Sequence, residues 1–246
     1  MRTINAGFLF SLALSATLLL AGCSKDAPAT STNNTTSASE RISDQDVSQS
    51  ISNAVSGSGS GLATQVEATT KLTAMSLLGC GQTIDSTISA SSPTGALFGY
   101  SYDLNYSRTC ICSGGSPSQY DVTITGSSSY SFLVMSSSDS TNAQFTVAGI
   151  AVSAANYVLN GAYTRTGTIQ SSITTQHTFN GTITFTGSNI TVSKSTQQII
   201  SGSATVLFSG STLSGGTTTQ NATITFLGNN EATVVVGNGT PTTISW

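Results

Sequence analysis

Apolar and polar residues change their spacing several times along the chain, and each change marks a different kind of segment. Ala6 to Leu20 is an apolar run interrupted only by hydroxyl side chains. From Ser24 to about Ser39 the chain is Ala, Ser, Thr and Asn with almost no large apolar residue, too little to offset the entropy of ordering. That composition predicts a tether, extending to about residue 42. Ile42, Val47, Ile51 and Val55 then recur at roughly helical intervals behind Ser43-Asp44-Gln45-Asp46, an N-cap residue followed by acidic residues that suit a first helical turn. This helix should end in the Ser-Gly linker at 56–61. A second helix is predicted from Leu62 to Leu78 on Val66, Leu72 and Met75, with Gly79 to close it.

From Thr83 onward the period falls from about 3.6 to 2. Phe98, Tyr100, Tyr102, Leu104 and Tyr106 alternate with small and polar residues, as in a half-buried strand. Tyr120–Ile124, Tyr130–Val134, Phe145–Val147 and Tyr157–Tyr163 read the same way, with clusters such as Ser136–Ser140 as turns between them. Asn180-Gly-Thr-Ile-Thr-Phe-Thr-Gly187 is echoed by Asn221-Ala-Thr-Ile-Thr-Phe-Leu-Gly228. Related phrases start at Asn160 and Ser201, a spacing of about 20 residues. Each phrase predicts one strand closed by a glycine turn. Ile183, Phe185, Val206, Phe208, Ile224 and Phe226 would share one face, and Thr182, Thr184, Thr223 and Thr225 the other. Gly228-Asn229-Asn230 predicts a tight hairpin, and Thr242–Trp246 a last strand. A sheet wet on one face must cover the other. The expected fold is therefore mainly β: an antiparallel meander, a β-sandwich or an open barrel-like sheet, with one or two short N-terminal helices. The expected segments are 1–22, 23–42, a helical part over 43–79 and a β domain over 80–246.

The first segment carries the most specific motif. One positive charge at Arg2 precedes the apolar run, which ends Leu20-Ala21-Gly22-Cys23. This resembles the lipobox of bacterial lipoprotein precursors. The resemblance implies a signal peptide over 1–22, cleavage before Cys23 and a diacylglycerol thioether and palmitate-type acyl groups on that cysteine. A plain secretory signal would share the small residues, and a spanning anchor would need about 18 or more apolar residues. Two or more acyl chains hold a protein at a bilayer without crossing it, since each buried methylene contributes about 0.8 kcal/mol. Ser24 stands where inner-membrane lipoproteins typically carry Asp, which implies the outer membrane, on either its periplasmic or its surface-exposed face.

Charge and cysteine content narrow the rest. Only 7% of residues are charged and the net charge is −3, which gives no electrostatic basis for nucleic-acid binding. Hydroxyl side chains, roughly a third of the chain, take the place of surface charge. Beyond Cys23 the cysteines are Cys80, Cys110 and Cys112, and outside the cytoplasm two of the three should pair. Cys110 and Cys112 point to one face of a strand, too far apart to bridge each other without strain. Cys80 is then expected to bond Cys110, with Cys112 as the alternative.

Candidate chemistry is sparse. His177 is the sole histidine, so any Ser–His or Cys–His nucleophile must use it, yet no nucleophile turn accompanies it. It reads as a polar strand residue facing water. Cys80, Cys110, Cys112 and His177 have suitable donors for zinc, but one residue between the paired cysteines is too few for the usual spacing. Asp85, Asp103, Asp121, Asp139 and Glu231 read as solvated turn or strand carboxylates rather than a glycosidase pair. Asp85-Ser86-Thr87 and Asp139-Ser140-Thr141 resemble the short signal for bacterial O-glycan attachment. Trp246 behind Ile244 is similar to the terminal aromatic strand of outer-membrane barrels, but the strands are short and Thr-rich for a spanning barrel. A buried aromatic at the end of a sheet is expected instead.

No metal or cofactor is expected. The leading expectation is a cell-envelope lipoprotein, not an enzyme, whose β module is structural or binds a protein or glycan partner at the envelope. A carrier of lipid or another apolar ligand in an open sheet cleft is the alternative, and an envelope hydrolase the second alternative.

Overall fold

The alternation that begins at Thr83 produces one antiparallel sheet. The computed structural model describes residues 41–56, 60–75 and 77–246. The apolar run, Cys23, most of the tether and part of the Ser-Gly linker lie outside the described residues. The chain divides into two units, Met1–Thr36 and Ser37–Trp246. The elements of the second unit are α1 (Asp44–Ser56), α2 (Leu62–Met75), β1 (Thr83–Ser91), β2 (Gly99–Ser113), β3 (Ser116–Ser131), β4 (Met135–Ala148), β5 (Asn156–Ser171), β6 (His177–Ser193), β7 (Ile199–Thr212), β8 (Thr217–Gly228), β9 (Glu231–Val236) and β10 (Thr242–Ser245).

Every strand pairs with its sequence neighbour, in the order β1 to β10, and the sheet does not close. The meander with two N-terminal helices is thus the member of the predicted fold class that forms, and among the described residues no second sheet packs on it. Helices cover the apolar face instead. Val47, Ile51 and Val55 of α1 and Leu62 and Val66 of α2 are wholly buried against the inward side chains of the strands. Burying each such side chain contributes about 1.5–3 kcal/mol. Helices of 13 and 14 residues are marginal alone. Helices and sheet therefore stabilise each other.

Two local expectations are corrected. The strands are longer than the phrases suggested: Gly167, Gly187 and Gly210, expected as turns, lie inside β5, β6 and β7. Ser136–Ser140, also expected as a turn, runs in β4 and pairs with Ser127–Ser131 and with residues 166–170. Cross-strand pairing on both sides supplies backbone partners that outweigh the turn preference of serine. The interior glycines serve packing. A Cβ on Gly210 would sit 2.7 Å from Ile42 Cδ1, so the missing side chain is what admits Ile42 to the core. At Gly161, with φ of 144°, a Cβ would meet the Gln144 carbonyl oxygen at 2.0 Å, beside a register shift in β5. Two further ends differ from the reading, since α2 closes at Met75 rather than Leu78 and β3 ends at Ser131, which leaves 132–134 in the β3–β4 turn; Asn229 and Asn230, both with positive φ, make the β8–β9 turn as read, and β10 ends one residue before Trp246.

The disulfide joins Cys80 to Cys112, not to the favoured Cys110, with Cα atoms 5.5 Å apart. The register explains it. Thr83 faces Thr109, and the backbone bond from Cys110 N–H to Gln82 O continues the same alignment, which brings Cys80 opposite Cys112. Cys110 lies one pleat deeper, buried in the core with a free thiol. Non-reducing peptide mapping should recover a Cys80–Cys112 cross-linked fragment. Cys110 should react with a thiol reagent only after denaturant unfolds the sheet; rapid labelling of the native protein would contradict this arrangement.

Candidate functional site

The inward face of the sheet carries polar groups that fix the helices. Ser43 and Asp46 form a reciprocal cap at the start of α1: Ser43 N–H donates to Asp46 Oδ2 at 2.8 Å and Asp46 N–H to Ser43 Oγ at 3.1 Å. The other carboxylate oxygen accepts from Ser171 Oγ at 2.5 Å, at the end of β5. His177 Nε2, at the start of β6, lies 3.4 Å from Asp46 Oδ2. His177 is therefore tucked against the helix cap and stacked on Phe179 at 5.5 Å, not turned to water as expected. The Asp46 carboxylate, bare of solvent, is held by the charge-assisted bonds that make such burial tolerable.

A second buried cluster lies under α1. The Arg165 guanidinium pairs with Asp139, donates to Ser128 Oγ at 3.1 Å and lies over the Tyr130 ring at 5.6 Å. Ser137 Oγ donates to the same carboxylate at 2.5 Å. Asp139 was expected in water. Its parity puts it on the inward face instead, where only a paired carboxylate is tolerated. Asp85, Asp103, Asp121 and Glu231 are exposed, as read.

Helix ends are met by further side chains of the sheet. Tyr106 OH donates to Gln65 Oε1, Tyr163 OH to the Ser60 carbonyl at 2.5 Å, and Arg108 to the Leu72 carbonyl. Tyr120 OH accepts from Leu78 N–H at 3.0 Å. Trp246 Nε1 reaches Glu67 at 3.4 Å while its indole packs edge-on against Phe226 at 5.9 Å. Sequence reasoning passed over Asp46, Arg108 and Arg165 as inward groups. The signal was present for the two arginines: each sits two residues from a tyrosine, on the apolar parity of its strand.

Ser171 donates to Asp46 and not to His177, so no imidazole is placed to take a hydroxyl proton. Among the described residues no three of His, Cys, Asp and Glu gather as metal ligands. Under α1 the cavity beside Arg165 and Tyr130 measures about 10 Å³, which is room for roughly one water.

The outer face is built differently. Strand register lines up hydroxyl and amide side chains in rows across the strands. One row runs Ser89, Asp103, Ser127, Ser140, Thr166 and Thr182 from β1 to β6 and continues to Ser209 and Thr219. Neighbours fix one another: Thr83 with Thr109 at 2.8 Å, Ser101 with Ser129 at 2.9 Å and Thr166 with Thr182 at 3.2 Å. A shallow groove of about 580 Å³ crosses this face over β1 to β4, lined by Ser89, Ser101, Asp103, Ser127 and Ser129 among others. Of the two O-glycan-like triplets, Thr87 faces outward here, whereas Thr141 is buried.

Comparison with known proteins gives no match: no protein family, no curated protein and no solved structure resembles the chain.

Two measurements test the buried clusters. Arg165→Ala strands the Asp139 carboxylate and should lower stability by about 3–5 kcal/mol, whereas Arg165→Met with Asp139→Leu should recover much of it. A urea titration of the three proteins reads both. Burial raises the pKa of Tyr106, Tyr130 and Tyr163 above the usual tyrosine value. The folded state thus holds protons that the unfolded chain releases near pH 10. The stability is intact below that pH and falls as pH rises toward the raised values. Tyr163→Phe should reduce the steepness of alkaline unfolding by about one proton, or ~1.4 kcal/mol per pH unit.

Proposed function

We propose that this protein is a lipid-anchored component of the bacterial cell envelope whose β module is non-catalytic and presents its outer hydroxyl face to a polar partner. The observation that carries the reading is the division of labour between the two sheet faces. The apolar face is occupied by α1 and α2, with a water-sized cavity beside Arg165 and a cleft of about 620 Å³ where α1 meets the β8–β9 edge, while the outer face is an ordered array of Ser, Thr and Asn with few charges. Such a face offers donors and acceptors at regular strand spacing and suits an uncharged, hydroxyl-rich surface such as a glycan or a protein coat.

Val47, Ile51, Val55, Leu62 and Val66 fill the middle of the face that a carrier of apolar ligand would keep open, and the cleft left at the α1–β8 edge is rimmed by Asp44, Gln45, Ser48 and Gln220, which supports this module over a carrier. The anchor rests on Leu20-Ala21-Gly22-Cys23, and the outer membrane on Ser24. Cys23→Ser in the full chain should abolish acylation of the mature N-terminal peptide by mass spectrometry and shift the protein from the membrane to the soluble fraction. An unacylated wild-type Cys23 defeats the anchor. The anchored protein should retain immobilised envelope glycans or envelope proteins, and retention should fall when Ser101, Ser127 and Ser129 are changed to Glu. Hydrolysis by the purified protein across a broad substrate panel would defeat the non-catalytic reading, and a stoichiometric co-purified lipid in native mass spectrometry would favour the carrier.

A further inference from the structure

In an antiparallel meander alternate turns fall at the same end of the sheet. The β1–β2, β3–β4, β5–β6, β7–β8 and β9–β10 turns therefore form one rim. Together, residues 92–98, 132–134, 172–176, 213–216 and 237–241 contain no charged side chain. Leu97, Leu133 and Leu213, at the tips of three of these turns, are 83%, 78% and 82% exposed, and Phe98 and Val134 stand beside them, also exposed. The tips are tied into one surface. Phe98 packs edge-on against Phe132 at 5.6 Å, and Ser172 N–H donates to the Val134 carbonyl at 2.9 Å. Just behind them Tyr100 and Tyr102 stack at 6.3 Å, half-buried. An apolar tip backed by tyrosines is the order found where a protein meets the headgroup layer of a bilayer.

The described chain begins at this same rim. Ile42 packs at Gly210, near the β7–β8 turn, and Asp46 is bonded to Ser171 at the β5–β6 turn. From the geometry we infer that the rim of Leu97, Phe98, Leu133, Val134 and Leu213 docks into the lipid surface to which Cys23 is anchored, so that the strands stand on the membrane. This inference rests on the lipidation of Cys23 proposed for the anchor. Seventeen residues, 24–40, separate Cys23 from the described chain, so covalent length alone limits that separation to about 60 Å. Strands of 14–17 residues, such as β4 to β7, set the opposite rim roughly 50 Å farther away. The anchor thus holds the near rim within reach of lipid. At the far rim Leu77 and Val152 are exposed as well, but Lys194 and Glu231 share that end, whereas the exposed charges at the near rim, Arg41 and Asp44, lie on the entering chain and the start of α1 rather than on the turns.

The test places a single tryptophan reporter in the lipid-anchored full chain, reconstituted in phosphatidylethanolamine/phosphatidylglycerol vesicles with or without brominated acyl chains. In a Trp246→Phe background, Leu133→Trp should shift to the blue on reconstitution and lose about half its emission to bromolipid, as a side chain at the headgroup–acyl boundary does. Val152→Trp should show neither change. No quenching at Leu133→Trp, or equal quenching at both sites, overturns the docking. So does a blue shift that bromolipid leaves unquenched, because the rim is then covered by protein.

Hydrogen exchange of the unaltered chain provides a readout without substitutions. Amides of 92–98, 132–134 and 213–216 should be protected when the protein is on vesicles, and absence of protection there overturns the docking. Mass spectrometry of the Cys23 peptide separates the two readings. If it carries no acyl chain, the anchor fails, and bromolipid quenching of the unacylated Leu133→Trp chain at high vesicle concentration still decides the rim.

Discussion

Everything in the folded unit depends on one constraint: a single antiparallel sheet has an apolar face with no second sheet to cover it. Ten strands present Leu, Ile, Val, Phe and Tyr inward, and exposing that face to water would forfeit the term that drives folding. The cover is two short helices. At about 20 Å they are much shorter than the long strands, so they can cover the face only by being held at fixed positions on it. α1 meets β8 through Asp44 and Gln220, the β5–β6 end through Asp46, and the start of β4 through Asn53 and Met135. α2 meets β2, β5 and β7 and the C-terminal Trp246.

Apolar packing alone would leave those helices free to slide, since dispersion contacts have little directional preference. The buried polar groups supply direction. Asp46, with its serine partners, fixes the start of α1; Tyr163 meets the segment leading into α2, and Arg108 and Tyr120 meet the far end of that helix. Each must be paired, because an unpaired buried hydroxyl or charge costs more than the bond contributes. The Arg165–Asp139 pair is the extreme instance. It is weak as a source of net stability and strong as a specifier of position, since either partner alone would be a buried charge. The residues that look most like chemistry are thus the ones that hold the lid in register.

With the inner face largely committed to packing, the outer face is the one left open. Hydroxyl rows that bond to one another are ordered before any partner arrives, so little side-chain entropy is lost on binding. Hydroxyls outnumber the few carboxylates there, such as Asp103, so the face offers short-range hydrogen bonding more than a long-range field. The two ends of the sheet differ in the same spirit, one with uncharged apolar turns where the chain comes in, the other with Lys194 and Glu231.

The sequence by itself determined the inward face of the aromatic strands and of the repeated phrases, both helices, the β8–β9 turn and the mainly antiparallel β class, because these follow from local periodicity, capping and turn chemistry. It also carries Leu20-Ala21-Gly22-Cys23, a contiguous motif that resembles a lipobox. Only the tertiary structure decided which glycines lie inside strands, that Ser136–Ser140 is strand, that Cys80 bonds Cys112, and that Asp46, Asp139 and His177 turn inward. Each of these depends on cross-strand register or on what a helix brings from distant positions. A local pattern can state that a face is apolar; it cannot state what will cover it, and that cover determines which polar groups are buried and paired.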